Sequence, residues 1–283
     1  MTYDELVKSD KSFDVILNLA GAGIADKRWS DARKEQLLAS RIKPTEALLD
    51  FIARSSSKPK LLVSGSAIGW YGPQGDKSLT ESSGFNADFS HKLCDDWEQL
   101  ALKATDYGVP VAIVRTGVVI HPKGGMVSKL LTPFKMGVGS QLGDGKQIMS
   151  WISRTDWVRA VIFIIEQHLS SQRQQVNSID NTLTTANATP ALVYNLTAPN
   201  PVTNHTFTKM LGAWLHRPTF FTLPAFLLKL MFGEMSTLLI DGQKVLPQAL
   251  LDAGFEFEHT ALEHALEQQG RVFRGMIHVK QWI

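Results

Sequence analysis

The sequence predicts an α/β fold: a parallel sheet covered by helices, followed by a smaller, mainly helical carboxyl-terminal lobe. Three observations carry that reading. Short apolar runs alternate along the chain with segments whose apolar residues recur every three or four positions, the alternation expected of parallel strands joined by right-handed crossovers. Pro110 to Ile120 is apolar without a polar–apolar beat, as in a strand covered on both faces. From Thr203 onward the patterns become mainly helical.

Phe13 to Leu19 is a short β-rich run closed by Ala20-Gly21-Ala22-Gly23. Trp29 to Arg54 reads as helix, with Leu38, Ile42, Thr45, Leu49 and Ile52 on one face. Pro44 falls inside it and is expected to kink or split it. Lys60 to Ser66 is a second strand, and a helix follows from Asp88 to Thr105, with Phe89, Leu93, Trp97, Leu100 and Ala104 aligned. Pro110 to Ile120 is a third strand, Asp156 to Gln167 a helix, and Ala191 to Leu196 a last strand. Between those two, 170–190 is rich in Ser, Gln, Asn and Thr and reads as a flexible surface insertion. The carboxyl-terminal helices are expected at Phe207–Leu215, Pro224–Phe232, Gln243–Leu251 and Ala261–Gln268. The domain boundary then falls between 1–199 and 200–283.

Composition narrows the function classes. Lys and Arg number 29 against 27 Asp and Glu, a net charge of +2, which gives no electrostatic reason to expect nucleic acid or an acidic membrane as partner. Hydrophobic residues at 44% and charged ones at 20% suit a globular protein. One cysteine, Cys94, excludes an intrachain disulfide framework and a multi-Cys zinc site. The longest apolar candidate, Phe220 to Phe232, is interrupted by Pro224 and Lys229, well short of a membrane span. The amino end has no signal-peptide pattern, so the sequons at Asn187, Asn195 and Asn204 are read as chance matches. The expectation is a cytoplasmic protein, with homo-oligomerisation left open.

In open α/β sheets, ligands bind beyond the carboxyl ends of the strands. Those ends here are Asn18, Leu19, Ala20 and Gly21; Ser64, Gly65 and Ser66, with Tyr71 beyond; and Arg115 to Val118. Small and hydroxyl residues at three strand tips suit a flat cofactor lying across the sheet edge. Turn geometry alone could also ask for them.

The motifs Asn18-Leu-Ala-Gly21, Arg28-Trp29, Ser40-Arg41, Ser64-Gly-Ser-Ala-Ile-Gly-Trp-Tyr-Gly72, Thr80-Glu81, Trp97-Glu98, Arg115-Thr-Gly-Val118 and Trp151-Ile152 occur in one order. Together they resemble the epimerase-family proteins of the extended, atypical short-chain dehydrogenase/reductase superfamily. The Gly124-Gly125 loop and the Arg217-Pro218 to Gly254-Phe255 segment resemble the same group, including its carboxyl-terminal domain of unknown function. The resemblance implies a Rossmann-like domain that binds NADP, or NAD, for oxidoreductase or epimerase chemistry. By the same warrant, Asn18, Leu19, Ala20 and Gly21 would line the adenosine-ribose and pyrophosphate side. Arg41 and Ser64 would approach the cofactor, and Val118 its nicotinamide end. Ser66 matches the active-site serine and would hydrogen-bond a substrate carbonyl or hydroxyl, favouring a developing oxyanion.

Two departures stand beside this resemblance. The Tyr-x-x-x-Lys pair that moves the proton in the wider superfamily falls here on Ser90 and Cys94. Tyr71, His91 or Lys92 could replace it, although His91 and Lys92 also suit a solvated helix face. The second is that no Gly-x-x-Gly-x-x-Gly turn precedes Phe13. The sheet is therefore expected to be incomplete at its amino end, the chain marginal in stability, and a truncated product one explanation. Asp156 reads as a family acidic residue or a helix cap, and His259 and His264 as solvent-facing. The resulting expectation is an NADP-dependent oxidoreductase or nucleotide-sugar epimerase-like enzyme acting on a small polar substrate. The rivals are an inactive dinucleotide-binding or scaffold protein and a truncated, non-binding product.

Overall fold

The computed structural model describes residues 11–177 and 192–268. Its central element is a four-stranded sheet in the order β1-β2-β4-β9, with β1 at Val15–Asn18, β2 at Leu61–Ala67, β4 at Val111–Thr116 and β9 at Leu192–Leu196. β1 and β2 run parallel, with Asn18 beside Ser64. This is the parallel α/β sheet that the sequence pattern predicts, in the Rossmann-like arrangement that the resemblance implies. Among the described residues, β1 pairs on one side only.

Residue contacts divide the chain into two interleaved units. The first comprises 1–72, 85–115 and 159–194; the second comprises 73–84, 116–158 and 195–283. In the first, helix α1 (Asp31–Arg54) starts where the Ser30 hydroxyl accepts from the Arg33 amide, a side-chain cap on an otherwise unbonded N–H. It buries Leu48, Leu49, Phe51 and Ile52 against Ile16, Leu62 and Ile113 of the sheet. Helix α2 (Phe89–Leu102) is capped in the same way by Asp88, which accepts from the His91 amide.

The second unit is built from short pairings. β5 (Val118–Ile120) lies parallel to β8 (Trp151–Ser153), and β3 (Gly75–Leu79) parallel to β12 (Gln243–Val245). β6 (Ser140–Leu142) lies parallel to β11 (Phe221–Leu223), while β7 (Ile148–Met149) is antiparallel to β10 (Val202–Thr203). Helices α3 (Gly125–Lys135) and α5 (Asn204–Trp214) pack Val127, Leu131, Phe134, Phe207 and Leu211 around Trp151.

Several expectations are corrected. Helix α1 runs unbroken through Pro44, because its buried face spans both sides of the proline and outweighs one missing hydrogen bond. Pro110 to Ile120 is two strands in two sheets, parted at Gly117. A Cβ there would sit 2.6 Å from the Ser150 carbonyl oxygen, so glycine permits the crossing. Helix α4 (Arg154–Asn177) continues into the stretch expected to be a flexible insertion; the remainder of that stretch lies outside the described residues. Gln243–Leu251 is not one helix: β12 is followed by Pro247 and a short helix, Gln248–Asp252. Asn195 and Asn204 are buried, and each holds a neighbouring strand or loop by hydrogen bonds.

Candidate functional site

The chain turns away from the tip of β1 by using its own side chains. Asn18 is buried, and its Oδ1 accepts from the Ala20 amide at 3.2 Å while its Nδ2 donates to Thr45 Oγ1 at 2.9 Å. The Ala22 amide donates to Ser40 Oγ at 2.9 Å, and Arg41 Nη2 donates to the Ala22 carbonyl at 3.2 Å. Arg33 Nη2 reaches the Gly23 carbonyl at 2.7 Å. One face of α1 thus fixes the loop from Asn18 to Gly23, while Leu19 and Gly21 remain exposed.

The loop has a cation at its back. The Arg41 guanidinium packs 5.3 Å from the Trp97 ring centroid and lies 3.1 Å from where a Gly21 Cβ would project. Burial, and after it the Arg33 charge, lower its proton affinity, with the electrostatics of Cys94 opposing. An arginine stays charged at neutral pH regardless. A fixed, delocalised cation behind an exposed backbone loop suits phosphate oxygens.

Beyond β2 lies a buried polar group that sequence reasoning did not assemble. Glu98 of α2 is forked by Arg115 of β4, with Nε to Oε1 at 2.9 Å and Nη2 to Oε2 at 2.8 Å, both side chains buried. Ser66 Oγ donates to Glu98 Oε1 at 2.5 Å. The guanidinium of Arg115 lies 3.4 Å from the Trp70 ring centroid and 5.0 Å from that of Tyr71. Burial works against this cation, but the hydrogen bonds and charge of Glu98 outweigh it and raise its proton affinity. The only hint of this cluster in the sequence is that Ser66, Trp97-Glu98 and Arg115 all fall in the motifs of the resemblance.

The direction of that serine bond has a chemical consequence. A carboxylate only accepts hydrogen bonds, so the Ser66 hydrogen is committed to Glu98. What remains for a ligand is a pair of acceptor lone pairs, and donation to an oxyanion would require the hydroxyl to turn away from Glu98. Tyr71 is fully buried, at 0% exposure, against Trp70 and Arg115. Ser64 is buried in β2. Val118 belongs to the second unit, at the start of β5 opposite Trp151.

Ser90 and Cys94, onto which the resemblance would place the Tyr–Lys pair, both pack against Gly69. The Cys94 thiol is pushed up to about 11 by burial and by Glu98, so at neutral pH it is a packed thiol and not a nucleophile. His91 corrects the solvated-face expectation: it is buried, its Nδ1 bonds the Trp70 carbonyl, and its ring stacks on Phe85 at 3.7 Å. Lys92 is exposed and pairs with Asp96 at 2.8 Å.

In the second unit, Ser153, Asp156 and His259 meet. Ser153 Oγ lies 3.0 Å from Asp156 Oδ2 and 3.1 Å from His259 Nδ1. The same histidine nitrogen faces both partners, whereas a triad histidine uses one nitrogen for each. Asp156 also accepts from the amides of Glu258 and His259 at 2.8 and 2.9 Å. The group therefore tethers 258–259 to the start of α4. His259 is buried rather than solvent-facing, while His264 is exposed. Among the described residues, no cluster of His, Cys, Asp and Glu is arranged to hold a metal ion.

Residues 2–179 match the NAD dependent epimerase/dehydratase family, and residues 223–269 match a domain of unknown function, DUF1731. The chain is 39% identical over 255 residues to Epimerase family protein Mb2239 of Mycobacterium bovis, covering 89% of this chain and 77% of the relative. It is 33% identical over 261 residues to Epimerase family protein SAR0825 of Staphylococcus aureus, covering 92% and 80% respectively. Among solved structures, human epimerase family protein SDR39U1 (isoform 2) with NADPH aligns at a TM-score of 0.83 and 28% identity, covering 96% of this chain and 86% of that one. The nucleoside-diphosphate sugar epimerase from Corynebacterium glutamicum aligns at a TM-score of 0.64 and 30% identity, over 90% of this chain and 46% of its own.

Proposed function

The chain belongs to the NAD-dependent epimerase/dehydratase family, and on that premise we propose that it is an NADP-dependent oxidoreductase of the nucleotide-sugar epimerase type acting on a small polar substrate. The observation that carries the reading is the exposed Asn18–Gly21 loop, held against α1 with the Arg41 cation behind it. Its likeness to a human relative solved with NADPH supports the same choice of cofactor.

In the first unit, Asn18, Leu19, Ala20, Gly21, Arg41 and Ser64 are the residues that would hold the nucleotide. When bound, the nicotinamide supplies hydride acceptor or donor chemistry. The chain contributes a shaped loop whose Asn18 and Ser40 side chains fix its backbone before any ligand arrives. It contributes the Arg41 charge, and in Ser66 a hydroxyl oriented by Glu98 to accept from a substrate hydroxyl. Tyr71 would have to leave its packing to move a proton.

The test is titration of the chain with NADPH and NADH, followed by tryptophan fluorescence and melting temperature, since Trp97 lies under Arg41. NADPH should quench and stabilise, and Arg41→Ala should weaken it about tenfold, the loss of one charge-assisted contact at ~1.5 kcal/mol. No response to either nucleotide overturns the proposal. One observation favours a second reading, a binding protein without turnover: Tyr71 is buried, and the positions where the resemblance would place the proton-moving pair hold Ser90 and Cys94. NADPH binding without oxidation across a panel of carbonyl substrates would select it.

A further inference from the structure

From a different part of the molecule, we propose that the second unit carries a docking surface for an anionic lipid bilayer. The surface spans three neighbouring elements. Met136 and Val138 follow α3; Phe220 and Phe221 lie at the start of β11, where Phe221 pairs with Ser140 of β6. Helix α6 (Ala225–Phe232) follows directly, and Gly143 beyond β6 packs within 3.9 Å of Ala225. Phe220 is 83% exposed, Met136 72%, Phe226 71% and Leu230 70%.

Side chains exposed to that degree have no protein walls around them. A fluid interfacial layer can take up such side chains without a shaped pocket. Aromatic and long aliphatic side chains partition into that layer. Helix α6 has eight residues, about 12 Å, too short to span a bilayer, so contact would be peripheral and reversible.

Charge selects the kind of bilayer. The stretches 129–146 and 209–234 contain six cations, Lys129, Lys135, Lys146, Lys209, Arg217 and Lys229, against two acids, Asp144 and Glu234. That is 6 − 2 = +4 where the whole chain carries +2, so the remainder of the chain sums to 2 − 4 = −2. The near-balance that argued against an acidic membrane therefore hides a local excess of cations in these two stretches. Arg217 Nε donates to the Lys135 carbonyl at 2.9 Å and Lys209 Nζ to the Thr219 carbonyl at 3.2 Å, which fixes these cations beside the exposed aromatics. Anionic headgroups attract such a rim within a Debye length.

The test is co-sedimentation of the full chain with phosphatidylcholine vesicles and with phosphatidylcholine vesicles carrying phosphatidylglycerol. Binding should be about tenfold stronger to the anionic vesicles and should fall with salt. Phe226→Asp with Leu230→Asp should abolish it, and Lys135→Glu with Arg217→Glu should remove the lipid preference. All four side chains are exposed, so unchanged melting temperatures and NADPH response separate lost docking from lost folding. Three outcomes overturn the proposal: no binding to either vesicle, equal binding to both, or a dimer seen by light scattering that Phe226→Asp dissolves. The last would make the surface a contact between two copies of the chain.

Discussion

Removing Glu98 tests whether the buried polar cluster is a single cooperative unit. Glu98→Ala leaves the Arg115 guanidinium buried without its carboxylate and the Ser66 hydroxyl without its acceptor. Breaking a buried pair by deleting one partner costs ~3–5 kcal/mol, and a buried hydroxyl without a partner costs ~1–3 kcal/mol. These overlap because both are losses at one carboxylate, so a total of about 4 kcal/mol is expected. That is a large share of the ~5–15 kcal/mol of a typical domain. Urea unfolding followed by tryptophan fluorescence and circular dichroism measures it, and Trp70, stacked on Arg115, reports locally. In the companion cycle of Glu98→Leu, Arg115→Met and the two together, the double variant removes both charges and should cost far less than the two single losses summed, giving a coupling of at least ~2 kcal/mol. A Glu98→Ala loss below ~1 kcal/mol, or strict additivity in the cycle, would refute the reasoning.

Other expectations rest on single contacts. Gly65→Ala places a Cβ 2.8 Å from Trp97 Cη2 and 3.2 Å from the Asn18 carbonyl oxygen; a loss of ~1–3 kcal/mol by urea titration is expected, with a weaker NADPH response. The Cys94 thiol is raised from 9.0 to about 11 in the folded chain, so the unfolded chain ionises first as pH rises. Stability is full below pH 9 and declines toward pH 11 by ~1.4 kcal/mol per unit; Cys94→Ala should flatten that part of the profile. Asp156→Asn turns an amide group toward the Glu258 or His259 N–H, and a loss of ~1–3 kcal/mol should appear with faster proteolysis near residue 258.

The elements legible in the sequence are those with a local signature. Apolar residues recurring every three or four positions announce α1 and α2, and the period of α1 survives Pro44 because a long buried face repeats it. The errors occur where distant residues decide. His91 reads as solvent-facing by spacing, and only the Trp70 carbonyl, 21 positions away, makes its burial affordable. His259 depends on Ser153, 106 positions away. Pro110 to Ile120 looks like one strand because nothing local marks that Gly117 must pass close to Ser150. The candidate site divides in the same way: strand tips are visible as small polar residues after apolar runs, but Glu98 joins Ser66 and Arg115 across separations of 32 and 17.

The small residues at 90 and 94, where the resemblance would place the Tyr–Lys pair, and the buried Glu98–Arg115–Ser66 cluster meet at one packing contact. The turn Ile68–Tyr71 lies directly on α2: a Cβ at Gly69 would stand 3.2 Å from Ser90 Cβ and 3.7 Å from Cys94 Sγ. That contact needs small residues at 90 and 94, and the turn it seats carries Trp70 and Tyr71 onto Arg115. Reinstalling the pair as Ser90→Tyr with Cys94→Lys should therefore damage the fold without creating turnover. The tyrosine overpacks the turn at ~1–3 kcal/mol, and the lysine puts a second cation into a fully buried position near Arg41, where it must find a partner or lose its proton. The expected result is a melting temperature lower by roughly 5–15 °C, with no NADPH oxidation gained over the parent chain. A double variant that melts like the parent and oxidises NADPH faster would show that the turn can move aside, and that the small residues at 90 and 94 are not what holds Trp70 over Arg115.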